Sequence, residues 1–145
     1  MAATALRTAI LLVSAALLIS ADQSRDVLSV INHVATGLTG GDPADAMTPF
    51  SKSYAKYDTL RNYFIALTNA FQITNEADIV DEEDSPAEAK LTLEWSLNLT
   101  GKVSNENTRR TQQVEVRLAL EKHQWRIVDF SPISLFDPQV RPAGK

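Results

Sequence analysis

Leu91-Thr92-Leu93-Glu94-Trp95-Ser96-Leu97-Asn98-Leu99-Thr100 alternates apolar and polar residues without a fault, and this stretch decides the fold class. After a polar loop the alternation resumes in Gln113-Val114-Glu115-Val116-Arg117-Leu118, and Leu120 and Glu121 keep its phase. Successive side chains of a strand point to opposite faces, so both segments belong to a sheet with one buried and one wet face. Flanking strands are predicted over Ile73–Asp81, where Ile79 and Val80 are the clearest apolar residues, and over Gln124–Ser131. Asp81-Glu82-Glu83-Asp84-Ser85-Pro86 reads as a charged turn, and Lys122-His123 as a tight turn between the last two strands.

Upstream the period changes from two to that of a helix. Val27, Val30, Ile31, Val34 and Leu38 recur at three- and four-residue spacing, which predicts an amphipathic helix over Asp22–Thr39 ended by Gly40-Gly41. Asp42-Pro43 opens a short second helix through Met47, since Asp caps well and Pro suits the first helical position. Leu60, Tyr63, Phe64, Leu67 and Phe71 form the stripe of a third helix from Tyr57, after a linker over Ser51–Lys56. Helices followed by an antiparallel meander make an α+β domain rather than an alternating α/β one.

The first 21 residues have the layout of a secretory signal peptide: Arg7 as the only charge, an apolar run over Ala9–Ile19, then small residues at Ser20 and Ala21. The apolar run is too short to span a bilayer, so no stable membrane anchor is expected after cleavage. That divides the chain into a signal segment, 1–21, and one folded domain, 22–145. With no cysteine, the domain holds together by packing alone, which suits a bacterial periplasmic or extracellular protein. Acidic side chains outnumber basic ones 18 to 14, for a net charge of −4, and the one basic doublet is Arg109-Arg110. Nucleic acid is therefore not an expected partner.

The loop Gly41-Asp42-Pro43-Ala44-Asp45 after the first helix and the closing strand Trp125-Arg126-Ile127-Val128-Asp129-Phe130 frame this element order. Together they resemble the NTF2-like superfamily, the cystatin-like cone of the ketosteroid-isomerase type. The resemblance implies a curved sheet whose concave side is closed by helices around a cavity, with any catalytic carboxylate or histidine on that inner face. Isomerases, dehydratases, cyclases, transport factors and oligomerising domains share the fold, so it selects no activity.

Most of the inner face does not meet that requirement. Leu91, Leu93, Trp95, Leu97 and Leu99, with Val114, Val116, Leu118 and Leu120, include no ionisable group. Pairing Leu120 with Trp125 sets Ile127 opposite Leu118 and Asp129 opposite Val116, and Val116 is then placed opposite Trp95. Asp129 would be a lone inner-face carboxylate beside an indole, and an apolar setting raises a carboxyl pKa toward useful acid–base values. A one-residue bulge would turn it outward, leaving a strand-end carboxylate bonded to backbone amides or facing water.

Other residues carry less. His33 reads as a boundary residue of the first helix, and His123 as an exposed turn residue; no metal-ligand spacing and no cofactor motif are present. Asp81–Asp84 lacks the spaced oxygens and glycine of a calcium loop. Tyr54, Tyr57 and Tyr63 fall near the expected cavity mouth. On the outer face Glu94 is placed against Arg117, and Ala119, Val128 and Phe130 form a more apolar patch suited to a homodimer; the segment Ile133–Phe136 is an alternative cover for Phe130. Arg141–Lys145 reads as a frayed tail. The reading is an exported domain that binds a small apolar ligand or a protein partner without catalysis, with Trp95, Trp125, Tyr57 and Asp129 as ligand-site candidates. An isomerase- or dehydratase-like enzyme with Asp129 as general base, and a structural homodimerisation module, are the alternatives.

Overall fold

The computed structural model describes residues 22–139; the expected signal segment and the tail beyond residue 139 lie outside the described residues. Helix α1 covers 22–39 and buries Val27, Ile31, Val34 and Leu38 completely, the stripe its spacing demands. It stops where Gly41 takes φ +71°, a left-handed conformation that glycine adopts without penalty. Asp42 then caps α2, Pro43–Met47, its Oδ1 accepting from the Asp45 N–H at 3.0 Å. The two helices meet at Gly37, where a Cβ would lie 2.6 Å from the Ala46 nitrogen, so only glycine allows this approach. Helix α3, Tyr57–Ala70, buries Leu60, Phe64 and Leu67. Phe71 begins the sheet instead of closing the helix.

Four antiparallel strands follow in simple sequence order: β1 (Phe71–Ser85), β2 (Glu88–Gly101), β3 (Asn107–Glu121) and β4 (Gln124–Ser131). Strand β1 runs four residues beyond the expected stop at Asp81, and the acidic run lies within it. Asp81 pairs with Thr92, Glu83 with Lys90 and Ser85 with Glu88, while Val80 is the extra residue of a bulge. Partnering by β2 overrides the poor strand preference of these acids, and the turn retreats to Pro86-Ala87.

The register between β2 and β3 also differs from expectation. Trp95 lies opposite Gln112, Val116 opposite Leu91, and Glu94 opposite Gln113 rather than Arg117. Alternation assigns each residue to a face but is silent on sliding by an even number of positions; the 102–106 loop sets the register. Arg117 instead has the Glu88 carboxylate 3.9 Å away.

Between β3 and β4 the expected pairs Leu120–Trp125 and Leu118–Ile127 form across a turn with Lys122 and His123 both at positive φ. Beyond them a bulge absorbs Val128, so Phe130 faces Val116 and Asp129 faces Arg117. Phe130 is therefore buried on the inner face, at 1% exposure, and Asp129 stands on the wet face. Both placements reverse those expected of these two residues.

The concave side of the sheet is filled. Phe50, Phe64, Trp95, Phe130 and Phe136 are buried together, with Tyr54 stacked on Phe50. Phe136 comes from a 3-10 turn, Ser134–Phe136, that follows β4 and tucks back. Its ring lies 5.1 Å from Phe64 and 5.6 Å from Trp95, both edge to face, and 5.8 Å from Phe130. Edge-to-face pairs add about 0.5–1.5 kcal/mol each beyond their buried area. Arg110 holds the turn down through Nη1, which donates to the Leu135 and Asp137 carbonyls at 2.9 and 2.7 Å. Half of the basic doublet thus has a structural task.

The bulge sets opposite costs on two neighbours. Phe130→Ala is expected to lose about 3–5 kcal/mol, and Asp129→Ala less than about 1 kcal/mol, as measured by urea denaturation. An unbulged strand would reverse that order.

Candidate functional site

Among the described residues, the side chains on the concave face of the sheet are packed against one another, and the polar groups beside them are engaged. Trp95 is fully buried, and its Nε1–H donates to Asn75 Oδ1 at 3.0 Å. Asn75 Nδ2 donates in turn to the Ala35 carbonyl at 2.9 Å and to Thr39 Oγ1 at 3.0 Å, which ties α1, β1 and the indole together. Tyr54, expected at a cavity mouth, is buried, and its hydroxyl donates to the Phe130 carbonyl at 2.6 Å. Burial, and then the nearby Asp129 charge, push this phenol up to about 12. Asp129 itself accepts from the Phe130 N–H at 3.1 Å, the strand-end arrangement that a bulge implies.

A cleft opens instead at the rim of the cone, where the chain before α3 crosses the edge of β4. Phe50 forms a parallel bridge with Ile127; the Ser51 N–H donates to the Ile127 carbonyl at 2.8 Å, and the Ile127 N–H to the Pro49 carbonyl at 2.9 Å. This contact covers an otherwise open strand edge. It also brings residues 51–53 against the β3–β4 turn. The resulting cleft has a volume of about 870 Å³. Met47, Phe50 and Tyr57 are among its apolar lining, with Lys52, Lys122 and Arg126 around them.

Polar contacts fix parts of this rim. Ser51 is buried, and its hydroxyl donates to Glu121 Oε2 at 3.1 Å and shares a 2.8 Å hydrogen bond with Ser53. Arg126 donates through Nη1 to the Thr48 carbonyl and through Nη2 to Gln124 Oε1 at 2.8 Å. Lys122 and His123 take φ +49° and +67°, as a two-residue hairpin turn requires. Asn-Gly is the usual pair there, and a non-glycine residue held at positive φ costs on the order of 1–3 kcal/mol. The turn thus places a cation on the cleft at a conformational cost.

The four ligand-site candidates separate. Tyr57 lines the cleft, and half-buried Trp125 lines an adjoining hollow with His123, Gln124 and Arg126. Trp95 is sealed inside and Asp129 lies on the wet face of the sheet, so neither shares a surface with them. The sequence marks Lys52 and Ser53 only as linker, Lys122 only as turn and Arg126 only as part of the closing strand, because the Phe50–Ile127 contact that unites them leaves no local pattern.

His33 joins α1 to α2: its Nε2 lies 3.2 Å from Asp45 Oδ1 and 3.1 Å from Thr48 Oγ1. Both contacts use one ring nitrogen, so they do not form the relay of a hydrolase. The acidic run touches α1 where Ser24 Oγ donates to Glu82 Oε2 at 2.6 Å and lies 3.4 Å from Asp84 Oδ2. Among the described residues, no group of three or more Asp, Glu, His or Cys side chains is arranged to hold a metal ion.

Comparison with known proteins places the fold. No family model matches the chain, and no curated protein does. Solved structures do. An NTF2-like superfamily protein from Salmonella enterica aligns over 87% of this chain and 98% of its own, with a TM-score of 0.65 and 13% identity. A protein of Novosphingobium aromaticivorans, provisionally assigned as a scytalone dehydratase, aligns over 77% and 83%, with a TM-score of 0.69 and 11% identity. A conserved protein of Planctomyces limnophilus aligns over 75% and 93%, with a TM-score of 0.69 and 6% identity. The chain has an NTF2-like fold; identities this low carry the architecture and nothing of activity.

The acidic contact gives a pH test. Burial, a hydrogen bond with Glu82 and repulsion by its charge raise Asp84 to about 6, against the opposing bond from Ser24. The folded state then binds this proton more tightly than the unfolded chain. The associated stability is present below the ordinary carboxylate range and is lost as pH rises through about 6. Asp84→Asn is therefore expected to lose less stability than the wild type between acid and neutral pH, in paired thermal melts. Parallel losses in the two proteins would refute the coupling.

Proposed function

We propose that this chain is an exported, non-catalytic binding domain whose recognition surface is the rim cleft rather than the interior of its cone. One observation carries the proposal: the volume in which this fold would hold a substrate is occupied by the protein's own rings, Phe64, Trp95, Phe130 and Phe136. A small apolar ligand inside the cone would have to displace Phe136, which is fully buried.

The enzyme alternative needs a carboxylate facing a cavity. The provisional dehydratase and a provisionally assigned aromatic ring hydroxylase among the similar structures make that comparison relevant. Here Asp129 points away from the core and bonds its own backbone neighbour. The homodimer alternative loses its apolar centre, because Phe130 has moved inside. What remains on the outer face of β2 and β3 is polar, including Glu94, Gln113, Glu115 and Arg117. Phe130→Glu would therefore report on the core and not on an interface.

The rim has the attributes of a ligand site: volume, an apolar floor and several convergent polar groups. Amide chemical-shift mapping of the ¹⁵N-labelled domain against a mixed fragment set tests this. Shifts are expected at residues 47–53 and 121–126, with the same pattern in Asp129→Asn. Shifts concentrated on Trp95, Val116 and Phe130 would overturn the proposal and restore an interior site.

A further inference from the structure

We infer that the rim cleft takes a small amphiphilic anion, a molecule with a carboxylate or phosphate group on an apolar body. The inference rests on the rim reading above. It starts from charge. Lys52 stands on one wall, and Lys122 and Arg126 on the other, in a chain whose acidic side chains outnumber its basic ones. Among the described residues, none of these three cations forms an ion pair; the pairs found are Arg25–Asp22, His33–Asp45 and Arg117–Glu88. Glu121 is the one carboxylate among the described residues of the cleft lining, and it already accepts the Ser51 hydroxyl.

Arg126 is held by two neutral acceptors, which fix the guanidinium without cancelling its charge. Lys122 projects from a strained turn position that asparagine or glycine would occupy more easily. Like charges gathered on one cleft repel each other, and an incoming anion relieves that repulsion. The apolar lining that water reaches is mainly Ala44 and the half-buried Tyr57, with Met47 and Phe50 touching the cleft only at their edges, so a bare inorganic anion would leave apolar surface wet. A neutral apolar molecule would cover that floor and leave the cations uncompensated. Only a ligand with both parts answers both walls and floor.

Four probes separate these cases on the ¹⁵N-labelled domain: sodium octanoate, octyl phosphate, octanol and inorganic phosphate. Octanoate and octyl phosphate are expected to shift amides at residues 51–53 and 121–126. Octanol and inorganic phosphate should bind at least about tenfold more weakly. The double variant Lys52→Gln, Lys122→Asn should weaken both amphiphiles about tenfold and leave octanol unchanged. Asparagine tolerates the positive φ at position 122, and both lysines are exposed, so this variant keeps the fold.

Octanol binding the cleft as tightly as octanoate, or an unaltered affinity in the double variant, would overturn the anion inference and leave the rim reading standing. Inorganic phosphate binding as tightly as octyl phosphate would overturn the apolar half. Amphiphile shifts confined to the inner strands would overturn both the inference and the rim reading.

Discussion

The structure depends on one extra residue in β4. Because Val128 is absorbed by a bulge opposite Arg117 and Leu118, every residue after it exchanges faces. Phe130 turns inward onto Trp95, with ring centroids 5.8 Å apart, and Asp129 turns out. The Phe130 carbonyl meets the Tyr54 hydroxyl at 2.6 Å, anchoring the segment that precedes α3. The chain leaving β4 then returns Phe136 to the same cluster. Without the bulge, a carboxylate would replace a phenylalanine at the centre of the concave face, and the cone would need to be open and wet to accommodate it.

Two polar devices hold the elements around that packed centre. Asn75 spends both ends of its amide on α1 and on the indole of Trp95, so the helix, the edge strand and the core are positioned by one side chain. Arg110 performs the equivalent task for the C-terminal turn, and burial lowers its pKa while the Asp137 charge opposes that shift. Both groups sit at the boundary of the core, where a hydrogen bond is shielded from water yet its partners need no deep desolvation. At the rim, by contrast, Lys52, Lys122 and Arg126 line one cleft, and Arg126 is held there by two neutral acceptors.

Much of this was written in periodicity. The stripe Val27, Ile31, Val34, Leu38 and the alternation Leu91 to Leu99 led directly to α1 and β2, because amphipathic patterning is a local property. The tight turn at Lys122-His123 followed from the pairing of Leu120 with Trp125. The position of the bulge is not legible in the sequence, since Val128-Asp129-Phe130 satisfies the pattern of either face until the packing decides. Gly37 gave no turn signal within a helix, and its role appears only when α2 rests against it. The rim cleft was invisible for a related reason: residues 49–51 and Ile127 are distant in sequence, and their bridge is a consequence of the fold.

The claim that the cone is closed by its own side chains is tested most directly by the tryptophan fluorescence of Trp125→Phe, which leaves Trp95 as the single indole. The account predicts blue-shifted emission that iodide does not quench, because Trp95 is fully buried among Phe130 and Phe136. Emission quenched by iodide as readily as that of free indole would show an open interior, and would return the search for function to the inside of the cone.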